Sequence, residues 1–151
     1  MKQAVKMSFL QHLKRALVGF ALLGSTIFAS AGEIWLIAHQ DAAVASLDRA
    51  AAADIFLGRH APGSRLKPFD RDDPALRADF YRALADLSPQ SVRAHWAKLV
   101  FTGRGRPPAI VGAAQIAPLL EKQPDAVTYV PADSLPAGAR ILLKLNTGVP
   151  E

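Results

Sequence analysis

The chain has 151 residues, a formal net charge of +5 and no cysteine. That length fits a leader and one compact domain, and the missing thiols exclude cysteine-ligated zinc, thiol catalysis and iron–sulfur chemistry. Four of the 18 basic residues (Lys2, Lys6, Lys14 and Arg15) stand in residues 1–31, which carry no acid, so residues 32–151 hold 14 basic against 13 acidic residues and offer little support for polyanion binding.

Residues 1–15 are basic, residues 16–28 (ALVGFALLGSTIF) are apolar, and Ala29-Ser30-Ala31 follows as a small-residue cleavage signal. This order predicts a secretory signal peptide over 1–31, cut after Ala31, and a single domain over 32–151 in the periplasm or otherwise outside the cell. The apolar run falls short of the roughly 20 residues a spanning helix needs. Membrane contact is then confined to the leader before cleavage; retention as an uncleaved anchor is the alternative.

Glu33 to His39 is short, apolar and β-branched, which predicts a buried strand. Ser46 is expected to cap a helix that runs through an alanine-rich stretch to Ile55-Phe56-Leu57 and stops at Gly58. A turn-rich loop over 59–65 leads to a second strand near Leu66–Phe69. Asp73-Pro74 and Ser88-Pro89 each pair an N-cap with a first-turn proline and open two further helices. Leu76, Phe80, Tyr81 and Leu84 form the apolar face of one, and Val92, Trp96, Leu99 and Val100 that of the other, which ends near Gly103.

Pro108–Gly112 predicts a strand and Ala113–Gln123 a helix that Pro118 either weakens or starts. Ala126–Val130 and Arg140–Leu145 predict the last two strands. Strands separated by helices imply an α/β domain with a small mixed or parallel sheet.

Several of these residues carry a family resemblance. Ile55-Phe56-Leu57-Gly58, Pro68, Arg77-x-x-Phe80, Trp96…Phe101-Thr102-Gly103…Pro108 and Pro124-Asp125-Ala126-Val127-Thr128-Tyr129-Val130-Pro131 together resemble short relatives of the phosphate-binding component of ABC transporters. The resemblance spans nearly all of residues 33–145 and implies one lobe of a periplasmic-binding-protein-like fold. In that family phosphate lies between two lobes, and hinge closure traps it.

The resemblance implies an oxyanion site over Asp70–Arg77, with Arg71 and Asp72 as carry-overs and Arg77 beside them. The family's Ser-Gly-Thr has no counterpart: Pro74, Ala75 and Leu76 stand in its approximate place. Thr128 and Asp125 replace glycines of the late motif, which implies altered backbone there. The competing reading of residues 70–77 is that Asp73 caps the helix and the arginines pair with neighbouring aspartates on the surface.

Arg104-Gly105-Arg106-Pro107 has the form of a minor-groove-binding core, but the near-neutral charge and the exported destination argue against nucleic acid. Arg104 and Arg106 are instead candidates to complete an oxyanion site from a facing loop. His39, His60 and His95 do not stand at metal-ligand spacing. No nucleophile elbow, Walker loop or dinucleotide fingerprint is present, so neither an enzyme nor a cofactor is expected. The expected partner is phosphate or another small oxyanion. The alternative is a ligand-free interaction module that docks on an envelope transport or signalling complex, and a homodimer would restore a two-sided cleft.

Overall fold

The computed structural model describes residues 32–59 and 64–148. The expected leader and its cleavage point, and residues 60–63 of the first loop including His60, lie outside the described residues. The elements in chain order are β1 (Glu33–His39), α1 (Arg49–Phe56), β2 (Lys67–Arg71), α2 (Pro74–Ala85), α3 (Pro89–Phe101), β3 (Ala109–Val111), α4 (Ile116–Lys122), β4 (Ala126–Pro131) and β5 (Ala139–Asn146). Short 3₁₀ turns precede α4 and β5. The expected α/β class with a small mixed sheet is observed.

Local chemistry places most helix ends. Asp73 Oδ1 accepts from the N–H groups of Ala75 and Leu76, with Pro74 as first helical residue. Ser88 Oγ accepts from Ser91 N–H ahead of α3. The cap of α1 differs from expectation: it is Asp48, whose Oδ1 accepts from Ala51 N–H at 2.7 Å, and not Ser46. Leu47 N–H is drawn to the Leu142 carbonyl at 2.9 Å, which ties the chain to β5 before the helix begins. Pro118 falls in the first turn of α4, where its missing N–H has no helical partner to lose.

The five strands lie in the order β3-β2-β4-β1-β5. β2 runs parallel to β3 and β4, and β1 runs antiparallel to β4 and β5. The connection from β2 to β3 moves one way across the sheet, and the connection from β3 to β4 moves back past β2. Right-handed crossovers in opposite directions put their helices on opposite faces. Accordingly α1 and α2 cover one face, where Leu36, Phe56, Phe80 and Tyr129 pack, while α4 covers the other with Ile37, Phe69, Ile116 and Val130.

Phe80 forms the centre of the larger core. Its ring stacks on Tyr129 at a centroid separation of 3.7 Å and meets Phe56 and Tyr81 edge-on at 4.9 and 5.3 Å. α3 packs outside α2 and reaches α1 through two contacts. His95 Nε2 hydrogen-bonds the Leu57 carbonyl at 2.8 Å, and Trp96 lies against Gly58. Val100, expected on the packed face of α3, is instead exposed, because one side of this helix meets only solvent.

Gly58 has φ +67°, and a methyl group there would stand 2.9 Å from Trp96 Cη2. Gly58→Ala therefore meets both backbone strain and a clash. It is expected to lower the unfolding free energy by ~1–3 kcal/mol in urea titrations.

Candidate functional site

Period-two alternation along β2 sends its last residues to different faces. Phe69 joins the α4 side and Asp70 the α2 side, and Arg71 ends the strand. Asp70 is buried, and its carboxylate accepts from the Tyr81 hydroxyl at 3.2 Å, from the Tyr129 hydroxyl and from Arg71 N–H at 3.1 Å. Burial pushes the Asp70 carboxyl above its ordinary value of 3.8, and these donors and the Arg77 charge only partly offset that rise. The Tyr81 and Tyr129 hydroxyls are pushed up as well, first by burial and then by the negative charge of Asp70.

Arg71 is 4% exposed. Its Nη1 donates to the Tyr129 carbonyl at 2.8 Å, while its buried Nε–H finds no acceptor. Among the described residues the three salt bridges are His39–Asp41, Arg59–Asp54 and Arg82–Asp79, so neither Arg71 nor Arg77 makes one, although the Arg77 charge is felt at Asp70. The expectation that these arginines pair with neighbouring aspartates is not met, because β2 draws Arg71 inward while Asp72 and Asp73 stay outside. Arg77 lies one turn into α2, and its Nη1 donates to the Arg71 carbonyl at 3.3 Å.

The loops leaving the carboxyl ends of β2 and β3 depart to opposite faces, and in open α/β sheets ligands gather at such a switch point. Asp72 N–H donates to the Val111 carbonyl at 3.3 Å, and its Oδ2 would be 3.0 Å from a methyl group on Gly112. Arg77 thus reaches the backbone at the end of β2, next to Asp72, while the Arg71 guanidinium turns to the Tyr129 carbonyl. The Ala75 and Leu76 N–H groups at the α2 end are used by Asp73, so this end offers side chains and not free N–H groups.

Arg104 and Arg106 lie on the loop after α3, Arg104 exposed and Arg106 more so than the buried Arg71, and stand apart from this cluster in sequence and element. Pro107 and Pro108, which continue that loop, share a cavity of about 460 Å³ with Arg77 between α2, α3 and β3. Two residues that sequence reasoning misses, Arg93 and Asp70, line the same cavity. The signal for Arg93 is its place on the stripe Pro89-Val92-Arg93-Trp96, at i, i+3, i+4 and i+7. It faces the equally spaced stripe Pro74-Arg77-Ala78-Tyr81 of α2.

The altered backbone expected at Thr128 is not observed. That residue sits in regular register opposite Ile37, since a buried strand accepts a β-branched side chain readily. His39 forms a strand-end turn in which Asp41 N–H donates to its Nδ1 at 3.2 Å. Among the described residues no group of three metal-ligating side chains gathers, and no helix is long and apolar enough to cross a membrane.

The sheet order, the helices on both faces and the switch-point junction define one lobe of the periplasmic-binding-protein type. The chain shares its fold with solved structures. It is similar to an ABC-type phosphate transport receptor from Vibrio cholerae, at 12% identity and a TM-score of 0.54, over 74% of this chain and 45% of that one. It is also similar to a protein from Clostridium perfringens described as a putative phosphate ABC transporter substrate-binding protein and solved with phosphate bound. There the identity is 15% and the TM-score 0.55, over 74% of this chain and 44% of the other. The chain thus shares the fold of these two proteins and spans less than half the length of either. No family model and no curated protein matches the sequence.

Proposed function

We propose that this chain is an exported, non-catalytic binding lobe of the phosphate-receptor type that takes phosphate or a similar small oxyanion at the carboxyl end of β2. The observation that carries this reading is Arg71, a buried guanidinium without a carboxylate partner at the switch point of the sheet. A buried charge left unpaired is strongly unfavourable, and an anion beside it relieves that penalty. Arg71 and Arg77 supply the positive charge, and Asp72 accepts a hydrogen bond from a protonated oxyanion. Arg104 and Arg106 add positive potential from the loop after α3.

One observation favours a second reading. Asp73 occupies the α2 N–H groups, and Asp72 stands over Gly112, so two carboxylates guard the junction. A lobe that has lost its ligand and serves as an interaction module of an envelope complex, or pairs with a second copy, fits that arrangement.

Thermal unfolding of the purified protein across a phosphate titration separates the two, with sulfate and chloride as controls. Phosphate at 100 times its dissociation constant is expected to add about 2.7 kcal/mol. Arg71→Met keeps the aliphatic stem and is expected to abolish the shift. A phosphate response no larger than that of sulfate, or one that survives in Arg71→Met, would sink capture at this site and leave the interaction module.

A further inference from the structure

Beside the junction, the cavity between α2, α3 and β3 has a composition that inorganic phosphate does not need. Its walls are largely apolar, with Trp96, Val92, Ile110 and Pro108 among them, while Arg77 and Arg93 bring two guanidinium groups to it. Its volume of about 460 Å³ falls within the range of small-molecule sites. Neither arginine makes a salt bridge among the described residues, and the Asp70 carboxyl, which also lines the cavity, feels the Arg77 charge from its buried place behind the Tyr81 hydroxyl. Trp96 is 8% exposed, and its buried Nε1–H makes no hydrogen bond. The nearest acceptor is the Tyr81 hydroxyl oxygen, whose own proton goes to Asp70. Buried indole N–H groups ordinarily find an acceptor. The other described tryptophan follows that rule, with Trp35 Nε1–H donating to Glu33 at 2.8 Å.

We infer that this cavity is a binding site for a small organic anion, a flat apolar body bearing one carboxylate or phosphate group. The anionic head lies between Arg77 and Arg93, and the body packs on the Trp96 ring and Pro108. A flat ring suits walls made by the Trp96 ring and Pro108, on which it can stack. The site does not include Arg71, which does not line the cavity, and it shares Arg77 with the junction.

The two tryptophans supply an internal control. In ¹H–¹⁵N spectra of the folded protein, the indole peak lost in Trp96→Phe identifies Trp96. Titration with 2-naphthoate is expected to move that peak and leave the Trp35 peak in place. The neutral 2-naphthamide is expected to bind at least tenfold more weakly, and acetate to move neither peak. Arg93→Ala, at an exposed helical position, is expected to weaken 2-naphthoate about tenfold while the thermal midpoint stays close to that of the parent protein. Equal affinity for the amide, an unchanged Trp96 peak at saturation, or full affinity in Arg93→Ala would each overturn the assignment. Arg71→Met is read with phosphate and Arg93→Ala with 2-naphthoate, so each reading is tested at a residue the other does not use.

Discussion

Phe80→Ala is expected to lower the unfolding free energy by about 3–5 kcal/mol, the range for emptying a buried aromatic site. Phe80 has no exposed surface and touches three aromatic rings, one on α1, one on α2 and one on β4. Removing it leaves Tyr129 without its stacking partner and α2 without its main hold on the sheet. Little can move into the gap, because Phe56, Tyr81 and Tyr129 are each fixed by other neighbours. In a domain of this size the loss corresponds to a fall in thermal midpoint on the order of 15–25 °C. Urea titration with an unchanged slope checks it. Phe80→Leu, which retains most of the volume, is expected to lose less than half as much. A loss below about 1 kcal/mol for the alanine variant would show that α2 is held mainly by something else.

The second large effect is a pH dependence carried by Asp70. Its folded-state pKa is raised, so the folded protein holds this proton more tightly than the unfolded chain does. The stability linked to it is fully present below the ordinary carboxyl value of about 3.9. It is lost as pH rises through the raised folded value. Asp70→Asn removes the ionisation, and its stability curve is expected to lack the decline that the parent protein shows upward from about pH 4. Asp70→Ala goes further, since it strips the acceptor from the Tyr81 and Tyr129 hydroxyls and from Arg71 N–H. It is expected to destabilise by ~2–5 kcal/mol at any pH, the penalty for orphaned buried donors. Chemical denaturation of the three proteins at pH 4, 6 and 8 decides the matter. Identical slopes in the parent and Asp70→Asn would show that Asp70 is not the group responsible.

Several of these features are legible in the residues alone. Asp73-Pro74 and Ser88-Pro89 read as helix starts because a cap and a first-turn proline act within four residues. Phe80, Tyr81 and Trp96 read as packing positions because the helical period groups them. Ser46 is not the cap that its position suggests, because the choice between two nearby candidates turns on where β5 holds Leu47, and the Leu142 that holds it lies 95 residues further along the chain. The junction residues Arg71, Asp72 and Arg77 are singled out by resemblance, and Arg77 reaches the Arg71 carbonyl. Their environments are not legible: three charged residues within seven positions end as a buried guanidinium, an exposed carboxylate and a half-buried guanidinium.

By itself, then, the sequence determined the succession of strands and helices, most of the helix caps and the α/β class, since all of these follow from interactions within a turn or two of chain. Only the tertiary structure decided the strand order, the burial of Arg71 without a carboxylate partner, the Asp70–Tyr81–Tyr129 cluster and the cavity that joins Arg77 to Arg93 and Trp96. Each of these depends on which distant segments share a face of the sheet. That is set by crossover direction and by packing of the whole core, and no local pattern encodes it.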